Sequence, residues 1–212
     1  MKTPLSSVIG YLTLLRDDEQ QIPQELRNKY LSISLDKAER LEDLINEFFE
    51  ITRFNLSNIT LKYSDINLTR LLEQLIYEFN PMLKEKNLQC VLHSAKDIML
   101  HCDANKMQRV FDNLLRNAAI YSYSDTEITI TTELRANKVT IVFENCGANI
   151  PEEKLEQIFE QFYRVDTARS MANGGAGLGL AIAKHIVELH KGTIAAKSKD
   201  ECVKFIVELP LS

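Results

Sequence analysis

Near Asn55 the spacing of apolar residues changes from one regime to another, so the chain has to be built from two kinds of structure. Upstream, Leu5, Val8, Ile9, Leu12 and Leu15 fall three and four apart, the pattern that gathers side chains on one helical face. After a polar stretch from Asp17 to Pro23, Leu31, Ala38, Leu41, Ile45 and Phe48 lie near a second stripe, with Lys37, Arg40 and Glu42 off it. A short link between two periodic runs predicts an antiparallel helical hairpin. One hairpin has too little partner surface to bury such a stripe, and Leu44, Phe49 and Ile51 add to it. Pairing of two copies into four helices solves the problem. Packing of the hairpin on the C-terminal region of its own chain is the competing solution.

Downstream, short β-prone segments alternate with helical ones. Strands are expected near Ile59 to Lys62, Gln89 to Leu92, Ile128 to Glu133, Val139 to Phe143, Thr193 to Lys197 and Phe205 to Leu209. Helices are expected over Leu68 to Lys86, Ala104 to Tyr121, Glu152 to Phe159 and Leu178 to Leu189. This order predicts an α+β chain: a hairpin over 1–55, a connecting segment over 56–65, and over 66–212 a mixed sheet covered by helices on one face.

Composition narrows the function classes. Lys and Arg number 25 against 30 Asp and Glu, with no basic block to track a phosphate backbone, so nucleic acid is not an expected partner. The four cysteines, Cys90, Cys102, Cys146 and Cys202, lack the spacing of a zinc site or a secreted scaffold, which points to a reducing cytosol. No run of roughly eighteen apolar residues exists to span a bilayer, and no membrane contact is expected of this piece.

The chemistry concentrates in four stretches. On the helix around Arg109 to Ala119, Val110, Leu114 and Ala118 face inward, which puts Asn113 and Asn117 together on the other face, one turn apart. Their amide oxygens suit a hard cation such as Mg²⁺, and their amide hydrogens suit phosphate oxygens. Taken alone, such a pair is more often a solvated face. Four of the seven glycines, Gly174, Gly175, Gly177 and Gly179, crowd before and into the apolar helix that begins at Leu178. Glycine allows backbone amides to approach phosphate, and a helix start adds the positive end of its dipole. A flexible surface loop is the plainer explanation. Between these lies Phe143-Glu144-Asn145-Cys146-Gly147-Ala148-Asn149-Ile150-Pro151, a strand running into a turn, and then Ile158 to Arg164. The polar stretch from Asp166 to Asn173 reads as a lid, with Arg164 and Arg169 available to phosphates.

In order and spacing these elements resemble the asparagine box, two glycine boxes and phenylalanine box of bacterial sensor histidine kinases. The resemblance implies the ATP-binding α/β sandwich shared with gyrase, MutL repair proteins and heat-shock chaperones, preceded by half of a dimeric four-helix bundle. It implies ATP and Mg²⁺ as cofactors. Asn117 then takes the Mg²⁺ ligand position, with Asn113 beside it on the phosphate side, and Tyr121 packs near adenine. Asn145 stands where the family usually has Asp to read the adenine amine. Gly147, Ile150, Gly175, Gly177, Leu178 and Gly179 complete the implied ATP-binding set. Departures are Asn149 at a common glycine, Ile120 at a common Lys and Val203 near a usual Thr. Asn113 replaces the water-activating glutamate of the related ATPases, which disfavours hydrolysis and favours transfer to a histidine.

Lys2-Thr3-Pro4-Leu5 resembles the end of the family's H-[ED]-x-[KR]-T-P-L segment, which places the phosphoacceptor histidine two residues before Met1 and leads to the expectation of a truncated chain unable to phosphorylate itself. His93, His101, His185 and His190 are read as structural or surface residues. Thr3 occupies the position that aligns water for dephosphorylating a response regulator, while a Thr before Pro also suits a helix cap. Ser7 to Leu12, Leu35 to Ala38 and Glu47 to Arg53 resemble the vancomycin-resistance sensor kinases. That likeness implies a homodimer, an OmpR-type response regulator as partner, and the cytoplasmic portion of a cell-membrane protein. The competing class is a docking module with a decayed pocket, which Asn145, Asn149 and Ile120 motivate.

Overall fold

The computed structural model describes residues 2–16, 22–56, 60–94, 97–165 and 177–211. The chain divides into two units, Met1–Asn58 and Ile59–Ser212.

In the first unit α1 (Lys2–Arg16) is followed by α2 (Gln24–Leu56). The Arg27 amide donates to the Pro23 carbonyl at 2.9 Å, which starts α2. Tyr11 and Tyr30, on opposite sides of the link, bring their rings to 5.2 Å. The expected stripe resolves into two. Val8, Tyr11 and Leu15 are half-buried with Tyr30, Ile33 and Leu41, beside a buried Ser34 whose hydroxyl donates to the Tyr30 carbonyl at 2.7 Å. Leu5, Ile9, Leu12, Leu31, Leu35 and Ile45 remain exposed. One hairpin uses one side of each helix and leaves the next uncovered. The side chains of Leu44, Phe48, Phe49 and Ile51 lie outside the described residues.

The second unit runs β1 (Ser64–Asn67), α3 (Leu68–Glu85), β2 (Gln89–Ser94), β3 (Met99–Cys102), α4 (Ala104–Tyr121), β4 (Glu127–Arg135), β5 (Lys138–Cys146), α5 (Gly179–Leu189), β6 (Thr193–Lys199) and β7 (Cys202–Pro210). Five strands form a mixed sheet in the order β2-β4-β5-β7-β6, and β1 pairs antiparallel with β3. Only β2 and β4 are parallel, and a parallel pair needs a crossover, which α4 supplies. Alternation along the strands turns Val139, Ile141, Phe143 and Asn145 of β5, and Val203, Phe205, Val207 and Leu209 of β7, into the core. Phe111 of α4 stacks on Phe143 with centroids 5.9 Å apart, fixing the helix layer to the sheet.

Two expected elements are corrected. The expected strand at Ile59 to Lys62 is absent over 60–63; the strand starts at Ser64, because only from there does the backbone meet β3. The helix expected over Glu152 to Phe159 is two 3₁₀ turns, Glu152–Lys154 and Gln157–Phe159. Neither has a side-chain cap, and three residues are too few to propagate an α-helix. The anchoring of buried Phe159 edge-on against Phe205 at 6.3 Å sets the path instead.

Candidate nucleotide-binding site

The helix that carries both asparagines is fixed at each end. At its start the Asp103 carboxylate accepts the Lys106 amide at 3.1 Å and the Lys62 amide at 2.9 Å. The Asp103 amide donates to Nε2 of the buried His190 at 3.1 Å, while His190 Nδ1 donates to the Ile186 carbonyl at 2.8 Å. Burial pushes the Asp103 carboxyl up, but the Lys62 and Lys106 amides, with the charge of Lys106, outweigh it and hold the group below its ordinary range. At the far end the Lys86 ammonium donates to the carbonyls of Ala119 at 3.1 Å, Ile120, and Ser122 at 3.3 Å, groups that a helix end leaves open. Val110, Leu114 and Ala118 are buried, and Asn113 and Asn117 are half-buried one turn apart.

Asn113 meets the start of α5. A Cβ at Gly179 would lie 3.1 Å from Asn113 Oδ1, and Asn113 Nδ2 is buried with no hydrogen-bond partner among the described residues. Just upstream, Gly177 takes φ +78°, and a side chain there would press within 2.9 Å of the Tyr163 carbonyl, so glycine is required twice over. Its carbonyl accepts the Phe162 amide at 3.0 Å, and the Arg164 side chain lies alongside. Leu178 is buried, and among the described residues no side chain caps the α5 start, whose first amides have no intrahelical acceptor.

The end of β5 approaches the end of α4. Asn145 is buried on the helix-facing side, in register with Val203, and its Nδ2 has no partner among the described residues. A Cβ at Gly147 would fall 2.4 Å from the Tyr121 carbonyl, so only glycine lets the two backbones lie this close. The Tyr123 amide donates to the Cys146 carbonyl at 2.9 Å, while the Tyr121 ring stays exposed. The Asn149 carboxamide oxygen accepts the Glu201 amide at 3.0 Å and the Ser198 hydroxyl at 3.3 Å. The Ile150 amide donates to that same hydroxyl at 2.9 Å.

The structure therefore brings Asn113 to Gly179, Arg164 to Gly177, and Tyr121 and Asn145 to Gly147, with Asn117 one turn along and Ile150 at the loop end. Arg169, Gly175 and the expected lid from Asp166 to Asn173 lie outside the described residues. Thr3 falls in α1, in the other unit, and its side chain is outside the described residues. Among the described residues no cluster of three His, Cys, Asp or Glu is placed to hold a metal. Sequence reasoning missed Lys86 and the Lys62–Asp103–His190 connection, which join residues far apart in the chain and leave no local pattern.

A helical hairpin and a sandwich whose asparagine helix faces a glycine-started helix are the two parts of a sensor kinase core. Residues 1–56 match the model of the His Kinase A (phospho-acceptor) domain, and residues 102–212 match that of the histidine kinase-, DNA gyrase B-, and HSP90-like ATPases. The chain belongs to the sensor histidine kinases. Its curated relatives include the sensor protein VanS of Enterococcus faecium, 51% identical over 99% of this chain and 54% of that protein. VanSC of Enterococcus gallinarum is 49% identical over 99% of this chain and 58% of its own length. The chain thus spans little more than half of either relative. Among solved structures, histidine kinase ThkA in complex with the response regulator protein TrrA aligns with a TM-score of 0.80 and 26% identity, covering 100% of this chain and 58% of that one. No helix among the described residues is long and apolar enough to cross a membrane.

Proposed function

We propose that this chain binds ATP between α4, the end of β5 and the start of α5, and that within a full-length receptor it passes the γ-phosphate to a histidine and then to an OmpR-type response regulator. The observation that carries the reading is the pair of buried, unpartnered amide nitrogens on Asn113 and Asn145, since a buried donor without a partner is costly unless a ligand satisfies it. Asn145 offers a donor and an acceptor on one carboxamide, matching the N1 acceptor and N6 amine on adenine's edge. Tyr121 covers the base, and Gly147 and Ile150 shape the loop beneath it. The amides at Leu178 and Gly179, with Gly175 and Gly177 before them, receive the phosphates, and Arg164 and Arg169 are available to them. Asn117, with Asn113 beside it, would hold Mg²⁺, whose charge when bound offsets that of the phosphates. Two amide oxygens fit an ion that keeps most of its shell from substrate and water.

In this reading phosphoryl transfer rests on alignment, because Asn113 provides no base to activate water. The acceptor belongs to the histidine segment whose later part is Lys2-Thr3-Pro4-Leu5, and Thr3 orients water when the regulator is dephosphorylated. The exposed hairpin stripe is covered by a second copy, giving a homodimer. The similarity to VanS and VanSC supports a role in vancomycin-resistance signalling and a place on the cytoplasmic side of the cell membrane. Calorimetric titration with ADP and Mg²⁺ tests the binding claim: saturable binding is expected, weakened about tenfold or more by Asn117→Asp, a loss of roughly 1.4 kcal/mol. No saturable binding in a folded chain favours the alternative of a docking module and overturns the proposal.

A further inference from the structure

On the sheet face turned away from the helices, β5 and β7 place Cys146 directly opposite Cys202. The Gly147 amide donates to the Glu201 carbonyl at 2.8 Å, one residue beyond each cysteine. That bond makes Cys146 and Cys202 a non-hydrogen-bonded pair, the closer of the two antiparallel kinds, with Cα atoms about 4.5 Å apart. Disulfides span Cα separations of about 4.4–6.8 Å, so the strands are already within bridging distance, at the short end where the bond is easily reduced. Both thiols are free; Cys146 is exposed and Cys202 half-buried. Neither of the other two cysteines faces a second cysteine. Cys90 faces Ile128 and Cys102 faces Ser64, and burial pushes both thiols up to about 12.

The neighbours hold the second thiol in place. The Cys202 thiol donates to Glu144 Oε1 at 2.9 Å, and the other oxygen of that carboxylate is 2.9 Å from the Lys204 ammonium. Burial raises the Glu144 carboxyl, but the bonds from Cys202 and Lys204 prevail and keep it ionised, while burial and that carboxylate push the Cys202 thiol up to about 11, so Cys202 keeps its proton until a departing sulfur takes it.

We propose that Cys146 and Cys202 form a redox modification site that closes reversibly into a cross-strand disulfide on meeting a small-molecule disulfide. The Cys146 thiolate attacks one sulfur of the small disulfide, forming a mixed disulfide and releasing the first small thiolate. The Cys202 sulfur then attacks Cys146 Sγ as its proton passes to the departing sulfur, which breaks the mixed disulfide and releases the second small molecule as a thiol. The protons from the two cysteines end on the two small thiols, so two protein thiols are oxidised and one disulfide is reduced.

Treatment of the chain with oxidised glutathione, followed by alkylation and peptide mass mapping, tests this. The expected result is a Cys146–Cys202 link with the loss of two hydrogens, reversed by dithiothreitol, while Cys90 and Cys102 stay alkylatable after unfolding. Cys202→Ser should trap glutathione on Cys146. Glu144→Gln should shorten the life of the mixed disulfide, because it removes the carboxylate that holds the proton on Cys202. A persistent glutathione adduct on Cys146 of the unaltered chain, a Cys146 link between two copies, or four unreacted thiols would each overturn the proposal.

Discussion

The two units contain helices of the same design with opposite outcomes. α1 and α2 carry apolar stripes, as α3 and α4 do, yet Leu35 of α2 is 60% exposed while Leu114 of α4 is 0% exposed. The difference lies in what the chain places opposite each stripe. α4 has the sheet on one side and α5 beside it, so Val110, Phe111, Leu114 and Leu115 are all closed off from water. The hairpin provides one seam and has a second left over. An amphipathic pattern thus reports that a face will be covered, and the topology decides whether the same chain does the covering.

The sharpest way to break the contrast is to remove the same side chain in both places. Leu114→Ala should cost about 2–5 kcal/mol, the range for a buried leucine whose site cannot collapse, read as a lower urea midpoint. Leu12→Ala, on the open stripe of α1, should move the midpoint of the monomer by no more than about 0.5 kcal/mol. Equal losses would mean that the hairpin stripe is covered within one chain.

The complementary experiment asks what covers it. Leu35→Asp should leave the fold of the second unit intact but raise the dimer dissociation constant about a hundredfold, roughly 2.7 kcal/mol, because pairing would have to bury an unpartnered charge. Light scattering against concentration reads the change. A dimer that tolerates the aspartate would place its interface elsewhere.

The same contrast explains what the residues disclosed in advance. The bounds of α4, Ala104 to Tyr121, were readable from the periodicity of its apolar residues, and Asn113 and Gly179 stood out because their chemistry is local to a helix face and a glycine run. The short strands Ser64–Asn67 and Met99–Cys102 were not readable: polar Ser-Asp-Ile-Asn becomes a strand only through pairing with a segment 32 to 38 residues away in the chain. The split of one hairpin stripe into a seam and an open face was likewise invisible, since both fit the same three-and-four spacing. Nor did any local pattern announce that His190 would accept the Asp103 amide 87 residues earlier, or that Lys86 would cap the helix of the asparagines.

Asp103 confines a pH effect to the second unit. Its carboxyl is held below its ordinary value when folded, so its charge stabilises the fold above the unfolded pKa, near 3.8, and that contribution is lost as the pH falls through the lower folded value. Asp103→Ala should cost about 1–2 kcal/mol at pH 7, the worth of a helix cap, and the gap from the unaltered chain should narrow as the pH drops below about 4. Melting curves across that window check it. A gap that stays constant with pH would mean that shape, not charge, holds the start of α4.

The smallest effect sets the limit on what the hairpin achieves by itself. Tyr11 and Tyr30 meet at 5.2 Å with planes tilted by 34°, and an aromatic pair contributes about 0.5–1.5 kcal/mol beyond its buried area. A double-mutant cycle with Tyr11→Leu and Tyr30→Leu, both half-exposed positions that tolerate leucine, should give coupling near the lower end of that range. Ordering two helices costs roughly 1–2 kcal/mol per residue, far more than such a seam returns. A coupling energy of that size leaves the exposed stripe as the main reserve of hairpin stability, available only when something covers it. If the cycle gave several kcal/mol, the seam would suffice and the two units would differ less than their surfaces suggest.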